Sequence, residues 1–170
     1  MKHLIHTISS GLQTYDGNFL AQGFWALSVC RLGQWRYGIS IPLVRKFFSV
    51  CYKLSYKVVQ VLTGIELPAE ATVGKGTRID HFGNIIISGY AKIGDECVIR
   101  QGVTIGLKNE AEPCAPVIGN RVNVGAGAKI LGNIHIGDDV EIGANAVVIQ
   151  DIPEHCIAVG IPAKPRRKTS

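Results

Sequence analysis

His81 is the residue in this sequence best placed by type to move a proton. An imidazole titrates near neutrality and can take the proton of a hydroxyl as a general base. It needs a partner to set its tautomer. Asp80 precedes it directly, and Glu66 lies fifteen residues earlier. The other reading of His81 is a corner histidine hydrogen-bonded to backbone, and residue type and position leave both open. The remaining histidines carry less. His135 falls at an outward position of a regular array, His155 in an exit segment, and His3 and His6 near the start, where they are expected to be flexible. Positions 81, 135 and 155 do not converge in one chain, so no metal site is expected. Cys114 sits in an irregular segment, and a lone loop cysteine is usually not a nucleophile.

A second set of residues suits binding. Gly125, Ala126 and Gly127, with Ala144 in a similar run, leave the chain nearly bare of side chains. A long thin ligand can lie against backbone amides there. Lys164 and Arg166 follow closely, in AKPRRK, and can meet phosphates at the end of such a ligand. Corner geometry and plain solubility are the alternative explanations of the two features.

The element that positions these residues is a repeat. Aliphatic residues recur at 118, 124, 130, 136, 142 and 148 in a strict period of six, mostly followed by Gly. Neither an amphipathic helix, repeating near 3.6, nor a flat strand, repeating at two, has this period. Three hexads close one triangular coil, and such coils stack into a parallel β-helix. The repeat begins at Leu67, Val73 and Ile79, then slips by two residues before Ile87. His81 lies in that slip. A second break separates Ile105 from Ile118 by thirteen residues rather than twelve, which predicts a loop at 107–117 extruded from a corner. Irregularities in a regular frame are where function is expected.

The charge is uneven. The net is +5, yet residues 1–65 hold seven bases against the single acid Asp16. No zinc-finger, RNP or helix-turn-helix pattern accompanies the excess, so nucleic acid is not an expected partner. Residues 1–17 suggest no element. Apolar spacing predicts one helix within 18–37 and a second, basic and amphipathic, ended by Gly64. Arg45, Lys46, Lys53 and Lys57 rule out a membrane span for the second helix. It either caps the open end of the β-helix or lies on an anionic membrane. Five cysteines without CxxC spacing, and the lack of an apolar leader in MKHLIHTISS, predict free thiols in the cytoplasm. The expected organisation is a helical cap at 1–64, a β-helix at 65–160 and a basic tail at 161–170.

The segments IDHFG (79–83), GVTIG (102–106), GAGAKILGNIHIG (125–137) and VGIPAKP (159–165) resemble the serine acetyltransferase-like branch of the hexapeptide acyltransferases. The upstream GFWALSVCRLGQW (23–35) is similar too. The resemblance spans roughly 18–168 and implies a left-handed β-helix, a homotrimer with sites between subunits, and acetyl-CoA as donor. His81 matches the family's catalytic base, Asp80 its acidic neighbour, and Glu66 the position of an aspartate paired with that base.

Two departures bear on the acceptor. Serine acetyltransferases carry a second histidine in an Arg-His-Pro-Lys-Ile stretch, where this chain reads CAPVI with Ala115 in the histidine's place. Their long acidic N-terminal domain is short and basic here. IRQGVTIG and CAPVIGN look closer to colanic-acid and capsule O-acetyltransferases. The resulting expectation is acetyl transfer to a saccharide hydroxyl in surface-polysaccharide synthesis, near the inner face of the membrane, with loop 107–117 walling the acceptor site. Serine O-acetylation for cysteine synthesis is the alternative, and a non-catalytic trimeric scaffold the third reading.

Overall fold

The computed structural model describes residues 2–109 and 113–168. Three helices come first: α1 (Lys2–Thr14), α2 (Gln22–Arg36) and α3 (Pro42–Thr63). Short strands then follow in threes. The first coil is β1 (Ile65–Glu66), β2 (Thr72–Val73) and β3 (Arg78–Ile79); the second is β4 (Ile85–Ile87), β5 (Lys92–Ile93) and β6 (Val98–Ile99). The third is β7 (Thr104–Gly106), β8 (Val117–Ile118) and β9 (Asn123–Val124); the fourth is β10 (Lys129–Leu131), β11 (His135–Ile136) and β12 (Glu141–Ile142). After β13 (Val147–Val148) the chain ends in β14 (Cys156–Gly160) and β15 (Ala163–Arg167).

Strands at equivalent places stack as three parallel faces: β1-β4-β7-β10-β13, β2-β5-β8-β11, and β3-β6-β9-β12-β14. The result is the left-handed parallel β-helix that the repeat and the resemblance imply. Each aliphatic residue of the period-six series points inward, from Leu67 and Val73 through to Ile142 and Val148. The residue two places earlier, as in Ala91, Cys97, Val122 and Val140, is buried with it. Each buried Ile or Val contributes on the order of 1.5–3 kcal/mol, and only because coils above and below cover it.

The register locates both breaks. Lys129 pairs with Val147 and Asn123 with Glu141, an offset of 18, whereas Ile65 pairs with Ile85 and Arg78 with Val98, an offset of 20. The two extra residues lie between β3 and β4, where the sequence places the slip. The second break is larger than it reads in sequence. Ile105 aligns with Ile130 and Ile118 with Ile136, so thirteen residues occupy the space of one hexad and seven are extruded, not one.

The first coil has no predecessor to pair its edge, and α2 covers it. Arg31 Nη2 donates to Gly74 O at 2.9 Å and Gln34 Nε2 to Ala71 O at 2.8 Å. Ala26 and Cys30 enter the core. The helix approaches closely because Gly23 and Gly33 face the coil; a Cβ on Gly33 would lie 2.5 Å from Ala69 Cβ. Capping is thus the work of α2 more than of α3, which packs on α2 and sends Tyr52 under it to accept the Ala69 N–H at 2.9 Å. At the far end, residues 163–167 are not a loose tail. They form β15, antiparallel to β14, and close the last coil.

Candidate active site at one corner of the prism

Asp80 to Asn84 make the corner between β3 and β4. Three of its residues are left-handed: His81 (φ 66°), Gly83 (φ 98°) and Asn84 (φ 58°). One left-handed residue per corner is ordinary here, since Glu96, Arg121 and Asp139 do the same elsewhere. Three within four residues is particular to the slip. The turn is held from both sides: Gly83 N donates to Thr63 O at 2.8 Å, Ile85 N to Gly64 O at 3.0 Å, and Gly83 O accepts from Gly102 N at 3.0 Å. His81 and Phe82 stand out of this frame, exposed. A solvent-facing imidazole on a pinned backbone is available to a substrate.

Asp80 is engaged by Arg78. Arg78 Nη2 donates to Asp80 Oδ2 at 3.0 Å, and Nε lies 2.8 Å from Oδ1 but off the line of a hydrogen bond. The carboxylate raises the guanidinium pKa further above its ordinary value, first through the hydrogen bond and then through its charge. Sequence reasoning missed Arg78; its signal is the i, i+2 spacing that puts both side chains on one side of a strand. Glu66 lies on β1, opposite Ile86 of β4. Its Oε2 accepts from Gln60 Nε2 at 3.0 Å. Among the described residues no hydrogen bond joins Glu66 to His81.

The small residues share the corner of His81. Gly125 to Gly127 link β9 to β10, and Ala144 lies between β12 and β13, as His81 lies between β3 and β4. His81, Gln101, Ala126 and Ala144 therefore mark successive levels of one edge, about 14 Å from end to end at the usual strand spacing. Val159 of β14 comes next, its Cγ1 2.7 Å from where a Cβ on Gly143 would lie, and Lys164 pairs with Val159. Arg166 pairs with Ile157, further back on the same face. Coil stacking alone also requires a glycine at 125, whose Cβ would fall 2.6 Å from Ala144 N. The bare stretch from Gly125 to Ala144 thus has a packing cause, and it shares one edge with His81, the Gln101 side chain standing between them.

The other candidates lie elsewhere. His135 is exposed on β11, and His155 Nδ1 stands 3.8 Å from Asp139 Oδ2. His6 is exposed on α1, and the His3 side chain lies outside the described residues. Cys114 is exposed, while Cys30, Cys97 and Cys156 are buried, and all five thiols are free. Burial pushes the Cys30 thiol up to about 12, which makes it inert. Among the described residues no group of three His, Cys, Asp or Glu side chains is arranged to hold a metal.

Residues 115–150 match the bacterial transferase hexapeptide (six repeats) family, so the class is that of the hexapeptide transferases. A serine acetyltransferase of Helicobacter pylori is 46% identical over 71% of this chain and 70% of its own length. One of Synechococcus elongatus is 41% identical over 84% of this chain. The chain spans 56% of the length of that cyanobacterial relative. The structure of a Neisseria gonorrhoeae serine acetyltransferase in complex with serine superposes with a TM-score of 0.80 at 27% identity, covering 97% of this chain and 69% of the other. The chain belongs to the serine acetyltransferase family.

These relatives overturn the expected kinship with colanic-acid and capsule enzymes, and with it the saccharide acceptor. The physical reason lies at Ala115. It is 6% exposed and part of the hydrophobic core. A buried alanine at one position of a shared fold does not by itself decide the acceptor.

Proposed function

We propose that the chain is a serine O-acetyltransferase that uses acetyl-CoA as donor and serves cysteine synthesis. The observation that carries this reading is 41–46% identity to serine acetyltransferases over most of the chain, with the exposed His81 on the same edge as the bare stretch. His81 Nε2 or Nδ1 removes the serine hydroxyl proton as the oxygen attacks the thioester carbonyl. The C–S bond breaks, and the departing CoA sulfur receives that proton. Glu66 orients the imidazole once its carboxylate turns from Gln60, and Asp80, held by Arg78, precedes His81 in the turn. The donor lies along Gly125, Ala126, Gly127 and Ala144, with Lys164 and Arg166 toward its phosphates.

The acceptor site is completed by a second copy of the chain in a homotrimer. Support comes from topology. The loop beginning at 107 leaves the corner between β7 and β8, whereas His81 occupies the corner between β3 and β4. Residues 110–112 of that loop lie outside the described residues. A cytoplasmic setting suits the five free thiols. Among the described residues, no helix is long and apolar enough to cross a membrane.

The test is thiol release from acetyl-CoA with and without L-serine, alongside the mass of the assembly in solution. Release that requires L-serine supports the reading. Release independent of serine, or acetyl-CoA binding without turnover, overturns it.

A further inference from the structure

The helix α3 has two faces of different fate. Tyr52 and Thr63 are buried against α2 and the first coil. The opposite side carries Leu43, Phe47, Val50, Leu54, Val58 and Val61, spaced by three and four residues along one stripe. They are 79, 63, 52, 64, 56 and 72% exposed. Isolated exposed apolar residues need no explanation, but a stripe running nearly the whole of a 22-residue helix does. At 1.5 Å per residue such a helix is about 33 Å long.

Charge distinguishes among the possible occupants. Lys46, Lys53 and Lys57 line one flank of the stripe, and α3 has no acidic residue. Asp16 is the one acid in the chain before Glu66. Copies that met through this face, in a trimer or a pair, would bring lysine rows together with no carboxylate on any α3 to pair them. An acidic lipid surface offers a complementary charge and an apolar phase at the same depth. Lysine stems can lie along the apolar stripe while the ammonium groups reach the headgroups.

We propose that α3 docks in the plane of an anionic membrane surface, with Leu43 to Val61 in the acyl boundary and the lysine row on the headgroups. The site would be close to that surface. Thr63, the last residue of α3, accepts the Gly83 N–H of the His81 turn at 2.8 Å. This inference is independent of which acceptor the site uses.

The test is co-sedimentation of the whole chain with vesicles of phosphatidylcholine alone and of phosphatidylcholine mixed with phosphatidylglycerol. The protein is expected to bind the mixed vesicles, to bind the neutral ones weakly, and to be released by salt. The double change Leu54→Glu and Val58→Glu is expected to lower the partition coefficient about tenfold or more. Both positions are exposed, so the fold and its thermal midpoint are expected to be retained. Failure to bind mixed vesicles overturns the proposal, as does equal binding to both kinds. A double variant that binds vesicles as well as the parent but sediments as a smaller assembly also overturns it, and assigns the face to contact between copies.

Discussion

The Tyr15 hydroxyl serves both backbone groups of Ile79, accepting its N–H at 2.9 Å and donating to its carbonyl at 3.3 Å. These groups lie on the unpaired edge of the first coil, two residues before His81, so the end of α1 fixes the strand that leads into the site. Tyr15→Phe leaves both groups unpaired. It is expected to cost about 1–3 kcal/mol in unfolding free energy, read by denaturant titration. The same pair predicts an alkaline limb. Burial raises the Tyr15 pKa from 10.0 to about 12, so the stabilisation is complete below the unfolded value and is lost as pH rises from 10 toward 12. Tyr15→Phe should make that limb shallower; an unchanged slope would assign it to other tyrosines such as Tyr56.

Gly23 is the contact through which α2 reaches the same strand. A Cβ there would fall 2.5 Å from the Tyr15 hydroxyl and 2.9 Å from Ile79 Cβ, and closer still to the Ile79 carbonyl oxygen. Helix propensity favours alanine by about 1 kcal/mol, but the backbone oxygen cannot move aside without shifting the strand. Gly23→Ala is therefore expected to destabilise by roughly 1–3 kcal/mol and to lower activity through the displaced His81 turn. A neutral or stabilising effect in thermal melting would show that α2 does not press on Ile79 at this position.

The repeat was legible because burial in a β-helix is strictly local: every sixth residue faces inward whatever surrounds it. The same local rule placed the two-residue slip that holds His81. The extrusion after Ile105 was misjudged because a count from one aliphatic residue to the next cannot tell one extra residue from a missing hexad; only the pairing of Ile118 with Ile136 decides. The first helix passed unseen although Leu4, Ile8 and Leu12 recur at helical spacing, because no cap residue or acid marks its start. Contacts between elements, such as Gln60 with Glu66, have no trace in spacing. The acceptor is not legible at Ala115, because one residue type on a shared fold does not decide which hydroxyl the site takes.

One corner of the prism is built from charged side chains and sets an acid limb. Asp138 accepts the Asn120 N–H at 2.8 Å, and Arg121 grips Asp139 with Nε at 2.8 Å and Nη2 at 2.7 Å. The Asn120 backbone bond holds the Asp138 carboxyl below its usual pKa, and the Arg121 hydrogen bonds do the same for Asp139. Depressed folded values mean that this stabilisation is present above the unfolded carboxylate pKa and is lost as pH falls through the folded values. Asp139→Asn removes the charge and keeps an acceptor. Its thermal midpoint should differ little from the parent's at acid pH and most at neutral pH; an equal difference at both would exclude titration of Asp139 as the cause.

His81→Asn isolates the imidazole from the turn that carries it. Asparagine tolerates the left-handed backbone found at His81 (φ 66°) better than alanine does, and the side chain is exposed, so folding is expected to be unchanged. Removing the general base should lower kcat by roughly 10²–10⁴-fold. The strip from Gly125 to Lys164 is untouched, so acetyl-CoA should bind as before, measured by calorimetry on the variant. Loss of turnover together with retained donor binding separates the proton-transfer role from a structural one. Retained turnover would remove His81 from the mechanism, and loss of both would point to a corner that has collapsed.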